Sequence, residues 1–148
     1  MDMTHLSDIN DTTYSGNTSS GIHGISIGSL GGDSVTESDI VNCLSVKNNK
    51  IIDSVNGICI KTIIHLYNTT TGVSYTDNTL SNFESAIVIR SDYIKSEGGY
   101  TSHAISKVDI TDITILGLSG TADDIYDILV VSFSDISLSG DAAAIRVA

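Results

Sequence analysis

The sequence contains no proline and no tryptophan, and only two of its 148 residues are cysteine. Without tryptophan, an aromatic platform for a sugar ring would have to come from the six tyrosines or two phenylalanines. Two cysteines, Cys43 and Cys59, are too few for a disulfide-stapled scaffold, so we expect both to be free thiols. No cluster of cysteine and histidine has metal-ligand spacing, so we expect no metal or other cofactor.

Basic residues are also scarce, since seven lysines and arginines face 18 aspartates and glutamates, giving a formal net charge of −11. A nucleic-acid partner is therefore not expected, because binding to phosphates requires a basic face. No apolar run is long enough for a transmembrane helix, so no membrane partner is expected either. The opening residues 1–5 lack the charged and apolar regions of a signal peptide. The length suggests one domain, spanning residues 1–148.

Short segments that alternate apolar and polar residues recur along the chain. The equivalent isoleucines are interpreted as Ile25, Ile58, Ile87, Ile128 and Ile145, and they are on average roughly 30 residues apart. Period-two alternation excludes helical repeats. The pattern predicts an all-β protein, a right-handed parallel β-helix in which each turn stacks on the next. A propeller or sandwich is the alternative, but it needs tight hairpins, and Asn-Gly stands between apolar runs only at residues 56–57.

Three segments resemble a known family. Residues 22–31, Ile-His-Gly-Ile-Ser-Ile-Gly-Ser-Leu-Gly, resemble the Gly-His-Gly-Ile-Ser-Ile-Gly-Ser segment of polygalacturonases. Residues 58–62, Ile-Cys-Ile-Lys-Thr, are similar to the Arg-Ile-Lys-Thr segment of that family. Residues 87–93, Ile-Val-Ile-Arg-Ser-Asp-Tyr, resemble its next strand, which ends in a substrate-contacting tyrosine.

The resemblance implies a family 28 glycoside hydrolase of the fungal endo-acting type, which hydrolyses α-1,4-linked galacturonan in pectin outside the cell. It implies a pectin-lyase-like right-handed parallel β-helix, a single-stranded solenoid. Residues 1–148 would be the C-terminal portion of the catalytic domain, a partial domain of about six turns that is truncated at the N-terminal end. Pectin or oligogalacturonate would be the partner.

The resemblance also implies the site residues. His23 and Asp2 would be catalytic, and Lys61, Tyr93 and Arg90 would bind substrate. Several family residues are missing, because Cys59 stands at the arginine of Arg-Ile-Lys and the chain has no counterpart of the first aspartate of the catalytic Asp-Asp pair. The earlier Asn-Thr-Asp segment, with its carboxylate, is also absent.

The repeat frame predicts that these residues share one wall. It aligns Asp2, His23, Asn56 and Ser85 in one column, and it aligns Gly28, Lys61 and Arg90 in a second column. Neighbouring parallel strands lie roughly 4.8 Å apart, so the two cations would form a short basic stripe suited to a sugar carboxylate.

Three functions follow as hypotheses. The chain is an inverting polygalacturonase with little or no activity of its own, because its catalytic carboxylates are incomplete. Alternatively, it is a non-catalytic module or decoy that binds oligogalacturonate. As a third possibility, it is a degenerate structural solenoid, with self-association through its open N-terminal end.

Overall fold

The computed structural model describes residues 9–21, 23–30, 40–130 and 136–139, and every regular element in these ranges is a β-strand. The strands are β1 (Ile9–Ser15), β2 (Thr18–Ser20), β3 (Ile25–Leu30), β4 (Val41–Lys47), β5 (Lys50–Ile63), β6 (Tyr67–Thr76), β7 (Thr79–Ile94), β8 (Gly99–Tyr100), β9 (Lys107–Ile110), β10 (Ile113–Leu116), β11 (Ser119–Leu129) and β12 (Ile136–Ser139). Within the described part of the chain, no helix has the length and apolarity needed to cross a bilayer.

The strands form two sheets that run alongside each other. The first has the order β1-β4-β6-β10-β12, with β9 also paired to β6. The second has the order β11-β7-β5-β2, with β3 also on β5 and β8 on β7. Strand pairs are parallel except for β7 and β8. Because the chain alternates between the two sheets and returns to each beside its previous strand, it winds as a solenoid. The predicted parallel β-helix is therefore confirmed.

Stacked isoleucines fill the interior. Ile27, Ile60, Ile89 and Ile128 occupy equivalent positions on β3, β5, β7 and β11. Each of these four side chains is at most 4% exposed. The alternation predicted this inward face, because side chains along a strand point to opposite sides in turn.

The predicted alignment of the fourth repeat was wrong by two residues. Ile25, Ile58 and Ile87 are in register as predicted, but the next position in this column is Tyr126, and Ile128 pairs with Ile89. A slip of two residues keeps each side chain on the same face, so the alternation could not reveal it. The predicted repeat at Ile145 lies outside the described residues.

A ladder of three asparagines, Asn17, Asn49 and Asn78, lines the corner where three successive turns pass from the first sheet to the second. Asn49 and Asn78 are buried, and the amide of Asn49 donates to the side-chain oxygen of Asn78 at 3.0 Å. Asn49 in turn accepts hydrogen bonds from the backbone and side-chain amides of Asn17. The residue before each asparagine has a positive φ, and these residues are Gly16, Asn48 and Asp77. At this corner the backbone leaves the hydrogen-bonding pattern of the sheets. The asparagine side chains therefore bond to one another and to nearby backbone groups.

Candidate functional site

The candidate site lies on the outer face of the second sheet, where β3, β5, β7 and β11 present side chains away from the core. Its first row begins at His23, which is half-buried two residues before β3. Ile25 pairs with Ile58, so the same register places His23 beside Asn56. Asn56 is aligned with Ser85, and Ser85 with Asp124. Asn56 and Ser85 therefore share a column as predicted, and the structure adds Asp124.

Gly24 determines how closely the segment carrying His23 approaches β5. Its φ is +61°, and a Cβ at this position would contact the backbone carbonyls of Asn56 and Gly57. Glycine adopts this conformation without strain, and the absence of a Cβ leaves room for the neighbouring backbone. The second glycine of the sequence motif therefore fixes His23 against the next turn.

The middle row of the wall is closed to solvent on β3, β5 and β7, whereas its member on β11, Asp127, is partly exposed. Ser26, Cys59 and Val88 are in register, and each is at most 3% exposed although none belongs to the core cluster. Both cysteines are free, as predicted, with Cys43 exposed and Cys59 buried. Burial raises the pKa of the Cys59 thiol to about 11, and the nearby charge of Lys61 opposes the shift only in part. Cys59 is 1% exposed, and a buried thiol whose pKa is raised in this way is a poor nucleophile.

The third row contains the two predicted cations. Lys61 and Arg90 are paired across β5 and β7, as predicted. Gly28 does not continue this row regularly, because the pairing of β3 with β5 shifts between Ile27 and Leu30. The Lys61 ammonium lies 5.0 Å from the centroid of the Tyr93 ring. Within the described part of the chain, no carboxylate lies within ion-pair distance of Lys61.

Arg90 has a different environment, because two carboxylates hold its guanidinium. Asp92 accepts from Nε at 2.9 Å and from a terminal nitrogen at 2.8 Å, while Asp127 accepts from the other terminal nitrogen at 2.7 Å. Hydrogen bonding to Asp92, with a smaller contribution from Asp127, raises the pKa of Arg90 despite its partial burial. The guanidinium also lies 4.6 Å from the centroid of the Tyr100 ring. The three charged groups together carry one net negative charge.

Asp92 links this cluster to the segment that follows β7. It is fully buried, and besides holding Arg90 its Oδ2 accepts the backbone N–H of Ser102 at 2.8 Å. Strand β8 pairs with the end of β7, and Tyr100 meets Tyr93 edge to face with centroids 5.7 Å apart. Partial burial raises the pKa of Tyr100, so it remains a neutral phenol. Lys61, Tyr93, Tyr100 and Arg90 therefore form one continuous array, which we call the cation–aromatic array.

The structure thus brings Lys61, Arg90 and Tyr93 together and places His23 on the same wall. Asp2 lies outside the described residues. Sequence reasoning missed Tyr100, Asp92 and Asp127 as members of the site. Among the described residues, no group of three or more histidine, cysteine, aspartate or glutamate side chains is arranged to hold a metal ion.

Comparison with known proteins identifies the family. Residues 7–140 match Glycosyl hydrolases family 28. Polygalacturonase 2 of Penicillium olsonii is 41% identical over 112 residues, which is 75% of this chain and 28% of that protein. Endopolygalacturonase 1 of Colletotrichum lindemuthianum is 39% identical over 110 residues, covering 74% of this chain and 29% of that protein.

A third relative gives the same result. The endo-polygalacturonase of Sclerotinia sclerotiorum is 41% identical over 112 residues, covering 74% of this chain and 28% of that protein. The matched part spans less than a third of the length of each of these relatives. The family match covers most of the chain and agrees with both the motif order and the solenoid, so this chain belongs to the family 28 glycosyl hydrolases.

Proposed function

We propose that this chain is part of a polygalacturonase that acts on the α-1,4-linked galacturonan of pectin in the plant cell wall, outside the cell. Lys61 is the observation that carries the proposal. It is a half-buried cation beside an aromatic face, with no carboxylate partner among the described residues. A uronate unit would supply that carboxylate, and its ring would pack on Tyr93. Charge-assisted hydrogen bonds of this kind are among the stronger polar contacts.

The described residues of this wall do not include the pair of closely spaced carboxylates that catalysis requires. Inverting glycosidases use a general acid and a second carboxylate that activates water, roughly 6.5–9.5 Å apart. Asn56 and Ser85 follow His23 in its column, and the first carboxylate is Asp124, three strands away. Three strand spacings amount to roughly 14 Å, so Asp124 is too far from His23 to act with it on one bond. We therefore expect the chain to bind galacturonan and to hydrolyse it very weakly or not at all.

The roles of the remaining residues follow from the family resemblance. His23 would support a general acid that the described residues lack, and Asp2 is the predicted carboxylate nearest to it in the repeat frame. Arg90, also predicted to bind substrate, has three of its N–H donors in use by Asp92 and Asp127. We propose Lys61 and Tyr93 as the main substrate-binding residues.

A binding test and an activity test on the same sample would examine this proposal. Affinity electrophoresis through a gel containing entrapped polygalacturonate should retard the chain, and reducing-end release from the same polymer should be no more than a trace. Absence of retardation would remove the binding role and leave only the family relationship. Clear release of reducing ends would show that the carboxylates are complete after all, and its loss in His23→Ala would then place the activity at this wall.

The alternative that the chain is a non-catalytic oligogalacturonate-binding module makes the same binding prediction. It is favoured by the contrast between a formed cation–aromatic array and a His23 column whose described members include no nearby carboxylate. The two proposals differ in whether the chain binds galacturonan as part of a hydrolysing enzyme or as a module without catalysis.

A further inference from the structure

The charge around Arg90 has a consequence for substrate choice, because the two carboxylates outnumber the one guanidinium. Asp92 is fully buried and fully engaged, whereas the side chain of Asp127 is 42% exposed. The exposed negative charge of the cluster is therefore at Asp127. Lys61, on β5, lies two strands from β11, which corresponds to roughly 10 Å.

Two charge environments thus occur side by side on one wall. At Lys61 the charge is positive and lacks a carboxylate partner among the described residues. At Arg90, Asp92 and Asp127 the three charges sum to one negative charge. An oligogalacturonate lying across both would place one carboxylate near Lys61 and another near Asp127. A carboxylate that lies closer to Asp127 than the Debye length, about 8 Å at physiological ionic strength, is repelled by it without full screening.

The surface beside Asp127 is also partly apolar. Tyr100 is 39% exposed and stacks on the guanidinium that Asp127 holds. A methyl ester has no charge to be repelled by Asp127, and its methyl group gains contact with the exposed aromatic ring.

We propose that Asp127 is a specificity-determining residue that disfavours a free galacturonate carboxylate beside Arg90 and favours a methyl-esterified unit there, while Lys61 takes a free carboxylate. This inference rests on the proposed function, because it concerns which galacturonan pattern the same wall binds. Arg90 is then a positioning residue that holds Tyr100 in place. The preferred ligand is a partially esterified pectin segment.

Calorimetric titration of the 148-residue chain with trigalacturonate and with its methyl ester tests this inference. Asp127→Asn keeps an oxygen that accepts from Arg90 and removes the charge. It should raise the affinity for trigalacturonate about fivefold, the size expected for one partly exposed charge, and change the affinity for the ester by less than about twofold. Asp109→Asn is the matched control, because Asp109 is exposed on β9 in the first sheet. It changes the net charge equally and should alter neither affinity.

The outcomes separate the two proposals. If the unaltered chain binds trigalacturonate and both variants behave alike, Asp127 has no role in specificity, and the proposed function stands. If neither sugar binds to the unaltered chain or to Asp127→Asn, both the binding proposal and this inference fail. Should Asp127→Asn not fold by circular dichroism, Asp127→Ser removes the same charge with a smaller side chain, and the same comparison applies.

Discussion

Replacing Asn49 with alanine is expected to lower the free energy of unfolding by about 3–5 kcal/mol, because several buried polar groups lose their partner together. The Asn49 side chain donates to the carbonyl of Tyr14 at 3.2 Å and to Asn78 at 3.0 Å. It also accepts from the backbone N–H of Asn17 at 3.0 Å. No alanine atom replaces these bonds, and water has no access to a residue that is 2% exposed.

Urea unfolding followed by circular dichroism would measure this loss. Asn10→Ala is the matched control, since Asn10 is exposed and its side chain accepts one hydrogen bond of 3.3 Å from Asn42. The control should cost less than about 0.5 kcal/mol. Equal losses in the two variants would mean that the ladder adds nothing beyond an ordinary surface hydrogen bond. A total stability of about 5–15 kcal/mol makes the Asn49 effect a large fraction of the whole.

Replacing Arg90 with leucine is expected to cost about 3–5 kcal/mol as well, because it leaves the Asp92 carboxylate buried without its counterion. Asp92 is fully buried, and its remaining side-chain partner among the described residues is the N–H of Ser102. Arg90→Lys should recover only part of the loss, since an ammonium cannot reproduce the two parallel hydrogen bonds of a guanidinium. Unfolding in urea provides the measurement.

Two controls separate the buried charge from general disruption. Lys95→Leu removes an exposed cation close to the same hairpin and should cost less than about 0.5 kcal/mol. The double variant Arg90→Leu with Asp92→Leu should be more stable than Arg90→Leu alone, because it removes the uncompensated carboxylate. A double variant that is less stable than the single one would show that the pair acts mainly through packing.

The interior of the solenoid was predictable because alternation reports directly on which face of a strand is buried. Ile25, Ile58 and Ile87 illustrate this, since each lies two residues before a second buried isoleucine in the same strand. The motif residues Lys61 and Arg90 were also predictable, since they occupy the same offset from those isoleucines. The longer intervening segment before β11 removed this regularity, and Tyr126 rather than an isoleucine continues the column.

The partners of Arg90 were not predictable for the same reason. Arg90 and Asp127 are 37 residues apart, so their contact depends on the register of β11. The sequence alignment of Ile128 with Ile87 placed Asp127 opposite Ala86, whereas it lies opposite Val88. Tyr100 belongs to an antiparallel return after β7, whereas the other strand pairs that the structure describes are parallel. Among the described residues, the predicted basic stripe therefore consists of Lys61, which has no carboxylate partner, and Arg90, whose charge is neutralised.

The sequence also contains a pattern that predicts the asparagine ladder, although the repeat was identified from its isoleucines alone. Asn17, Asn49 and Asn78 each follow a glycine, asparagine or aspartate, the residue types that best tolerate positive φ. They recur at the same interval of roughly 30 residues as the isoleucines. A residue that tolerates positive φ, followed by an asparagine and repeated at this interval, therefore predicts such a ladder.

The most direct test of the galacturonate site compares two lysines on different sheets, each of which lies beside a tyrosine ring. The Lys61 ammonium lies 5.0 Å from the Tyr93 ring, and that of Lys107 lies 4.5 Å from the Tyr67 ring beside the first sheet. Calorimetric titration with trigalacturonate should show a loss of at least tenfold in affinity for Lys61→Ala, since a charge-assisted contact contributes about 1.5–3 kcal/mol. Lys107→Ala should stay within about twofold of the unaltered chain. Equal losses, or no binding by the unaltered chain, would contradict the assignment of this wall as the galacturonate site.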